Sequence, residues 1–146
     1  TQFIIFRFFT VYGPYCRPDM FIHKFLNAIK KNKKIKLYNN GKNYRDFTYI
    51  SDVVKILNLA YKKNLSGQTL NICRSNPVVT NEVVKYILKK YKKKTFKLEK
   101  TGFIKGEMLK THGSNKKLKK FFGNIKFTNL NKGIDQTIQK FKRFNI

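Results

Sequence analysis

Apolar residues recur along the chain with the two periods of strands and helices, which predicts an α/β fold. Residues 2–9 are almost all apolar, β-branched or aromatic, as in a buried strand. In residues 20–32 the apolar side chains fall at Phe21, Phe25 and Ile29, and the lysines fall elsewhere. This i, i+4, i+8 spacing is typical of an amphipathic helix with one face in the core.

The same alternation continues to the end of the chain. Further strands are predicted at residues 35–38, 44–49, 69–73 and 95–98. Further helices are predicted to begin at Ser51, Thr80, Ser114 and Leu130. The helix beginning at Ser51 should bury Val53, Ile56, Leu57 and Ala60. The order is α/β, but it does not make a complete doubly wound sheet, which would begin with a strand and a phosphate-binding turn.

Composition predicts one folded domain. The chain has 146 residues, of which 41% are apolar and 15% aromatic, enough for a hydrophobic core. No apolar run approaches the roughly 20 residues that a membrane span needs. Cys16, Cys73, His23 and His112 have no spacing that suits a metal site, and we expect both histidines to lie at the surface.

The net charge of +26 is typical of proteins that bind nucleic acid. Lysine far outnumbers arginine here, however, and the lysines are scattered over every predicted helix. Asn, Ile, Phe and Tyr are also abundant, as a coding sequence rich in A and T would produce. We therefore interpret the charge as solvated lysine faces and expect no nucleic-acid partner. A basic module for polyanions remains an alternative.

The first motif with chemical content is Arg-Phe-Phe-Thr-Val-Tyr-Gly-Pro-Tyr-Cys-Arg-Pro-Asp-Met, at residues 7–20. It runs from the first strand through an aromatic loop to the first helix. In α/β proteins, ligands bind where loops leave the carboxyl ends of strands. This loop offers the hydroxyl of Thr10 and the guanidinium of Arg17 among aromatic rings, which suits a polar, anionic, ring-shaped ligand.

A second motif follows at residues 38–53, Tyr-Asn-Asn-Gly-Lys-Asn-Tyr-Arg-Asp-Phe-Thr-Tyr-Ile-Ser-Asp-Val. The two motifs, in this order, resemble segments of UDP-glucuronate 4-epimerases, which are NAD-dependent enzymes of the extended short-chain dehydrogenase class. The resemblance implies that Arg45 contacts the diphosphate of a UDP-sugar. Independently, the arginine fork suits phosphate oxygens, although a pair with Asp46 or Asp52 is an alternative for Arg45.

The resemblance also implies the remaining substrate contacts, and no catalytic or metal-binding residue in this chain. Thr10 and Arg17 would lie by the sugar carboxylate, with Asp19 orienting Arg17. Tyr38 would line the uracil pocket, with a place in the core as its alternative. Glu107 would lie near the ribose or the diphosphate, although the family has Asp at that position.

The nucleotide-binding half of the family is absent from this sequence. No Gly-rich turn and no catalytic Tyr-x-x-x-Lys precede the motifs, and we interpret the matching spacing of Tyr86 and Lys90 as chance. We therefore expect a C-terminal fragment of an extended Rossmann-type short-chain dehydrogenase. Residues 1–146 would form its substrate-binding part, with residues 1–10 a late strand of the missing sheet.

The expected function is that of a cytoplasmic UDP-sugar 4-epimerase of polysaccharide biosynthesis. It would interconvert UDP-glucuronate and UDP-galacturonate through a 4-keto intermediate. NAD would be bound by the missing N-terminal half, through which the complete enzyme would also form a homodimer. Alone, this part should be inactive and, because of an exposed apolar strand edge, poorly soluble. A related epimerase or dehydratase for a different sugar is an alternative.

Overall fold

Short strands alternate with helices throughout the computed structural model, which describes residues 3–63, 65–93 and 96–144. The elements in chain order are β1 (Ile4–Phe8), β2 (Thr10–Tyr12), α1 (Phe21–Lys30), β3 (Ile35–Leu37), a 3₁₀ turn (Tyr38–Gly41), β4 (Tyr44–Arg45), β5 (Phe47–Tyr49), α2 (Ile50–Tyr61), β6 (Gln68–Ile72), β7 (Val78–Val79), α3 (Thr80–Lys90), β8 (Leu98–Lys100), α4 (Lys116–Phe122) and α5 (Leu130–Phe144). The predicted α/β class is confirmed. No helix in these ranges is long and apolar enough to cross a membrane.

The strands pair two by two across long stretches of sequence. β1 pairs with β6, β2 with β5, and β3 with β8, all in parallel, whereas β4 and β7 are antiparallel. Parallel pairs need crossover connections, and helices such as α2, between β5 and β6, provide them. Thr10 of β2, residues 35–37 of β3 and Arg45 of β4 line one cavity.

Two hydrophobic clusters support this arrangement. The larger one joins α1, α3 and α5 to the short strands, and Phe25, Ile87 and Ile134 are fully buried in it. The smaller one joins α2 and α4 to β1 and β6, around Ile56 and Leu118. The amphipathic faces predicted for the helices are thus the faces that build the core.

Local boundaries differ from the sequence prediction in several places. Ser51 is not an N-cap, because α2 begins at Ile50 and Tyr49 occupies the cap position. Leu57, predicted to be buried, is 36% exposed, whereas the other three predicted positions of α2 are buried. The strand predicted at residues 95–98 is observed as β8, three residues further on, and Thr95 lies outside the described residues.

The first strand keeps an open edge in the part of the chain that the structure describes. There, β1 has one partner strand, β6. Phe3, Ile5 and Phe8 are each about half exposed on or beside this strand. Such an edge presents unpaired backbone groups together with apolar side chains, and both favour addition of another strand.

His23 is buried, so its predicted place at the surface is wrong, whereas His112 is exposed as predicted. The imidazole of His23 lies on the core side of α1 and packs edge-on against Phe141, with ring centroids 5.5 Å apart. Burial lowers the pKa of His23 because the imidazolium would lose its hydration there. A single polar residue among the apolar positions of a helix gives no signal in the sequence that its side chain is buried.

Acidification below about pH 6.5 is expected to destabilise the chain, because only the neutral imidazole of His23 suits the core. The pKa of His23 is lower in the folded state, so the unfolded state takes up more protons as the pH falls. The free energy of unfolding, measured by urea denaturation, should therefore decrease from pH 7 to pH 5. His23→Leu should flatten this decrease relative to the matched control His112→Asn, and equal slopes would contradict the assignment.

Candidate functional site

A cavity of about 650 Å³ opens between α1, β3, the start of α3 and the loop that follows β8. This volume is in the range of small-molecule sites. Four of the five predicted site residues line it: Thr10, Tyr38, Arg45 and Glu107. They come from four separate segments of the chain, so the cavity is the place where the two sequence motifs meet.

Arg17 is the predicted site residue that does not line the cavity. Its side chain is 76% exposed and donates two hydrogen bonds to the carboxylate of Asp19, from Nε at 3.0 Å and from Nη2 at 2.5 Å. This guanidinium lowers the pKa of Asp19 below its usual value. Asp19 itself lines the cavity. The orienting contact is therefore present, but the carboxylate clamp of Thr10 and Arg17 is not assembled.

Arg45 is positioned at the end of β4 with its side chain only 17% exposed. Its Nη2 donates to Oε1 of Glu107 at 2.5 Å, and its Nη1 donates to the backbone oxygen of Tyr44 at 2.8 Å. The alternative partners Asp46 and Asp52 are engaged elsewhere; Asp52 accepts hydrogen bonds from Thr128. The guanidinium is thus held in the cavity by one carboxylate and one carbonyl.

Asp46, next to Arg45 in the chain, is buried and accepts hydrogen bonds from several segments. This role was not predicted from the sequence. Its Oδ2 accepts the backbone N–H groups of Ser75 at 3.1 Å and Gly113 at 3.2 Å. Its own backbone oxygen accepts the N–H of Thr10 at 3.1 Å. These bonds tie three segments together around β4 and β5. Its place in the second motif, directly after Arg45, was the available signal.

The turn between β3 and β4 contributes a second residue that sequence reasoning missed. Asn39 and Asn40 have φ values of 49° and 51°, a left-handed conformation that asparagine tolerates well. This places Asn39 Nδ2 2.9 Å from Oδ1 of Asn43. The side chain of Asn43 is almost fully buried, lines the cavity, and directs its Nδ2 toward Glu107 at 3.5 Å.

Positive charge dominates the rim of the cavity. The lining includes five lysines in addition to Arg45, and only two carboxylates, Asp19 and Glu107. Those two carboxylates are already paired with arginines. A cleft lined by one sign of charge raises the local concentration of ligands of the opposite sign. The cavity therefore favours an anionic ligand.

Other candidate chemistry in the sequence lies outside this cavity. Tyr86 and Lys90 both form hydrogen bonds with Asp135 of α5 and do not line the cavity, so they form a contact between α3 and α5.

Neither cysteine chemistry nor a metal site is indicated by the described residues. Burial raises the pKa of Cys73 to about 12. Among the described residues, no three His, Cys, Asp or Glu side chains come together as a metal site.

The residues described here do not fit NAD, the cofactor that the resemblance implies. Only Phe9 separates β1 from β2, so no helix begins after the first strand to face a pyrophosphate. The glycines with positive φ are dispersed rather than grouped in one turn.

Known proteins of similar sequence and similar structure act on or bind UDP-glucuronate. A UDP-glucuronate 4-epimerase of Thermodesulfobacterium geofontis is 33% identical over 135 residues, covering 92% of this chain and 41% of that enzyme. MoeE5 in complex with UDP-glucuronic acid and NAD superimposes with a TM-score of 0.89 at 30% identity, over 97% of this chain and 47% of the other. The UDP-glucuronic acid 4-epimerase of Bacillus cereus, with the same ligands, superimposes with a TM-score of 0.87 at 26% identity, over 97% and 45%.

The chain therefore spans less than half the length of these relatives. The family model for the NAD dependent epimerase/dehydratase family matches residues 1–73, which contain both sequence motifs and the strands that carry Thr10 and Arg45. Members of this family depend on NAD, and the solved neighbours contain it. By this match, the chain belongs to the NAD dependent epimerase/dehydratase family.

Proposed function

We propose that this chain is the substrate-binding part of a UDP-sugar 4-epimerase that interconverts UDP-glucuronate and UDP-galacturonate. The observation that carries the proposal is the guanidinium of Arg45, held at the end of β4 in a cavity with a positive rim. A nucleotide diphosphate supplies the opposite charge and the paired oxygens that an arginine fork binds. Relatives and neighbours named for UDP-glucuronate support the choice of ligand.

In this proposal three cavity residues contact separate parts of the ligand. Arg45 binds the diphosphate oxygens, Tyr38 lies beside the uracil, and Thr10 contacts the sugar. The lysines of the rim attract the ligand as it approaches. None of these groups needs to exchange a proton, so the chain acts by binding and orienting the sugar nucleotide.

We further propose that NAD is held by a nucleotide-binding part not included in these residues, and that the homodimer forms through that part. Two observations support the first of these proposals, the separate nucleotide-binding part. The chain matches less than half of its solved neighbours. The open edge of β1, with Phe3, Ile5 and Phe8 exposed, suits pairing with a strand of a larger parallel sheet.

One observation favours a second candidate, a related epimerase or dehydratase for a sugar without a carboxylate. Arg17 lies outside the cavity and is paired with Asp19, so the group expected to hold a uronate is turned away from it. The two candidates share the UDP contacts and differ at the sugar. Affinity for UDP-glucuronate against UDP-glucose separates them.

Calorimetric titration of the chain with UDP-glucuronate, UDP-glucose and NAD tests the proposal. We expect UDP-glucuronate to bind with a stoichiometry of one and more tightly than UDP-glucose, and NAD not to bind. Equal affinity for the two sugars would favour the second candidate. No binding of either sugar nucleotide would overturn both. Binding of single-stranded DNA that falls steeply with salt, with no preference for UDP-sugars, would instead identify a polyanion module.

A further inference from the structure

The guanidinium that should receive the diphosphate is already occupied by a carboxylate of the same chain. Arg45 is the arginine of the cavity lining, and its Nη2 donates to Oε1 of Glu107 at 2.5 Å. The two side chains are 17% and 34% exposed, so water screens this pair only in part. A phosphate that approaches the Arg45 fork has to replace Glu107 or share the guanidinium with it.

The backbone anchors Glu107 beside Arg45. On the neighbouring segment, the backbone oxygen of Leu109 accepts the N–H of Tyr44 at 2.8 Å, and Thr111 N–H donates to the oxygen of Tyr44 at 3.1 Å. Glu107 lies two residues before the first of these anchors. Its own N–H donates to the oxygen of Ile104 at 3.1 Å, which closes a tight turn. Exchange on Arg45 therefore requires only the Glu107 side chain to rotate.

Asn43 offers a second hydrogen-bond donor to the carboxylate of Glu107. Nδ2 of Asn43 lies 3.5 Å from Oε1 of Glu107. Asn43 is itself fixed, because Asn39 donates to its Oδ1 at 2.9 Å and Thr80 donates to its backbone oxygen from both N–H and hydroxyl. A carboxylate that leaves Arg45 can shorten this bond, so displacement does not leave it without a hydrogen-bond donor.

We propose that Glu107 lowers the affinity of the cavity for diphosphate ligands by competing with them for Arg45, with Asn43 as the positioning residue that receives its carboxylate. This inference rests on the proposed function of the cavity and assigns Glu107 a role in competition with the ligand. A neutral nucleoside has no phosphate to bind Arg45, so it leaves the ion pair between Arg45 and Glu107 intact. A diphosphate carries enough charge to take over the guanidinium and binds less tightly than it would to a free Arg45.

Removing the charge of Glu107 should therefore tighten binding of one class of ligand only. Glu107→Gln keeps the shape of the side chain but weakens its hold on Arg45. We expect the affinity for UDP to rise about fivefold, the scale of a partly screened ion pair, and the affinity for uridine to stay unchanged. If Glu107 instead held the ribose hydroxyls, both ligands would bind more weakly, because both contain the ribose.

Calorimetric titration of the wild-type chain and Glu107→Gln with UDP and with uridine is the test. Glu82→Gln is the matched control, because it removes the same charge from an exposed residue of α3 that does not line the cavity. Glu107→Ala provides a second variant should the first fail to fold, and circular dichroism checks all of them. In the Arg45→Ala background, Glu107→Gln should give no gain, since the group that it frees is gone.

The outcomes separate the inference from the function on which it rests. Tighter UDP binding by Glu107→Gln, lost in the Arg45→Ala background and absent in Glu82→Gln, supports competition. Unchanged or weaker UDP binding by both Glu107 variants overturns it while leaving the UDP site in place. Failure of the wild-type chain to bind UDP overturns the proposed function itself.

Discussion

Replacing Arg45 by alanine is expected to weaken binding of UDP by the chain about 100-fold. A hydrogen bond to a charged group contributes roughly 1.5–3 kcal/mol, and each 1.4 kcal/mol changes the dissociation constant about tenfold. Arg45 offers a fork of donors inside the cavity, so its loss removes both charge and geometry. Isothermal titration calorimetry with UDP measures the change.

Two further variants show whether the effect comes from the guanidinium of Arg45. Arg45→Lys keeps the charge without the paired donors, so it should recover only part of the affinity. Arg7→Ala, at an exposed position of β1 that does not line the cavity, should bind UDP as the wild type does. An Arg45→Ala chain that folds and still binds UDP with the wild-type dissociation constant would show that the diphosphate lies elsewhere.

The second large effect is expected at Asp46. Asp46→Ala should lower the free energy of unfolding by about 3 kcal/mol, because the N–H groups of Ser75 and Gly113 lose their acceptor inside the protein. Leaving a buried donor without a partner costs roughly 1–3 kcal/mol. The carboxylate is completely buried, so water cannot readily take its place. Urea denaturation followed by circular dichroism gives the difference.

Asp135→Ala is the matched control for Asp46→Ala. It also removes an aspartate that contacts two residues, Tyr86 and Lys90, but its side chain is 41% exposed. Exposed ion pairs contribute roughly 0–1 kcal/mol, so this variant should lose far less stability. Equal losses in the two variants would mean that the hydrogen bonds of Asp46 are not what holds the three segments around β4 and β5 together.

Local features of this protein could be predicted from the amino-acid sequence. The helices and most strands follow from the spacing of apolar residues, because one face of each must be removed from water. Gly123 ends α4 with a φ of 74°, a conformation that glycine adopts without a steric cost. The candidate ligand groups Thr10 and Arg45 were found from their chemistry within two short motifs, and Tyr38 from the family resemblance that these motifs carry.

The neighbours of those residues were decided by the tertiary structure. Arg45 and Glu107 are 62 residues apart, and they meet because β4 is bonded to the segment that carries Glu107. The same packing buried the polar residue His23 and left the apolar residue Leu57 partly exposed. Periodicity reports which face of an element is apolar, but only the pairing of distant strands decides what that face meets. The sequence therefore determined the elements and the candidate ligand-binding side chains, and the fold determined that Arg45 is held by a carboxylate.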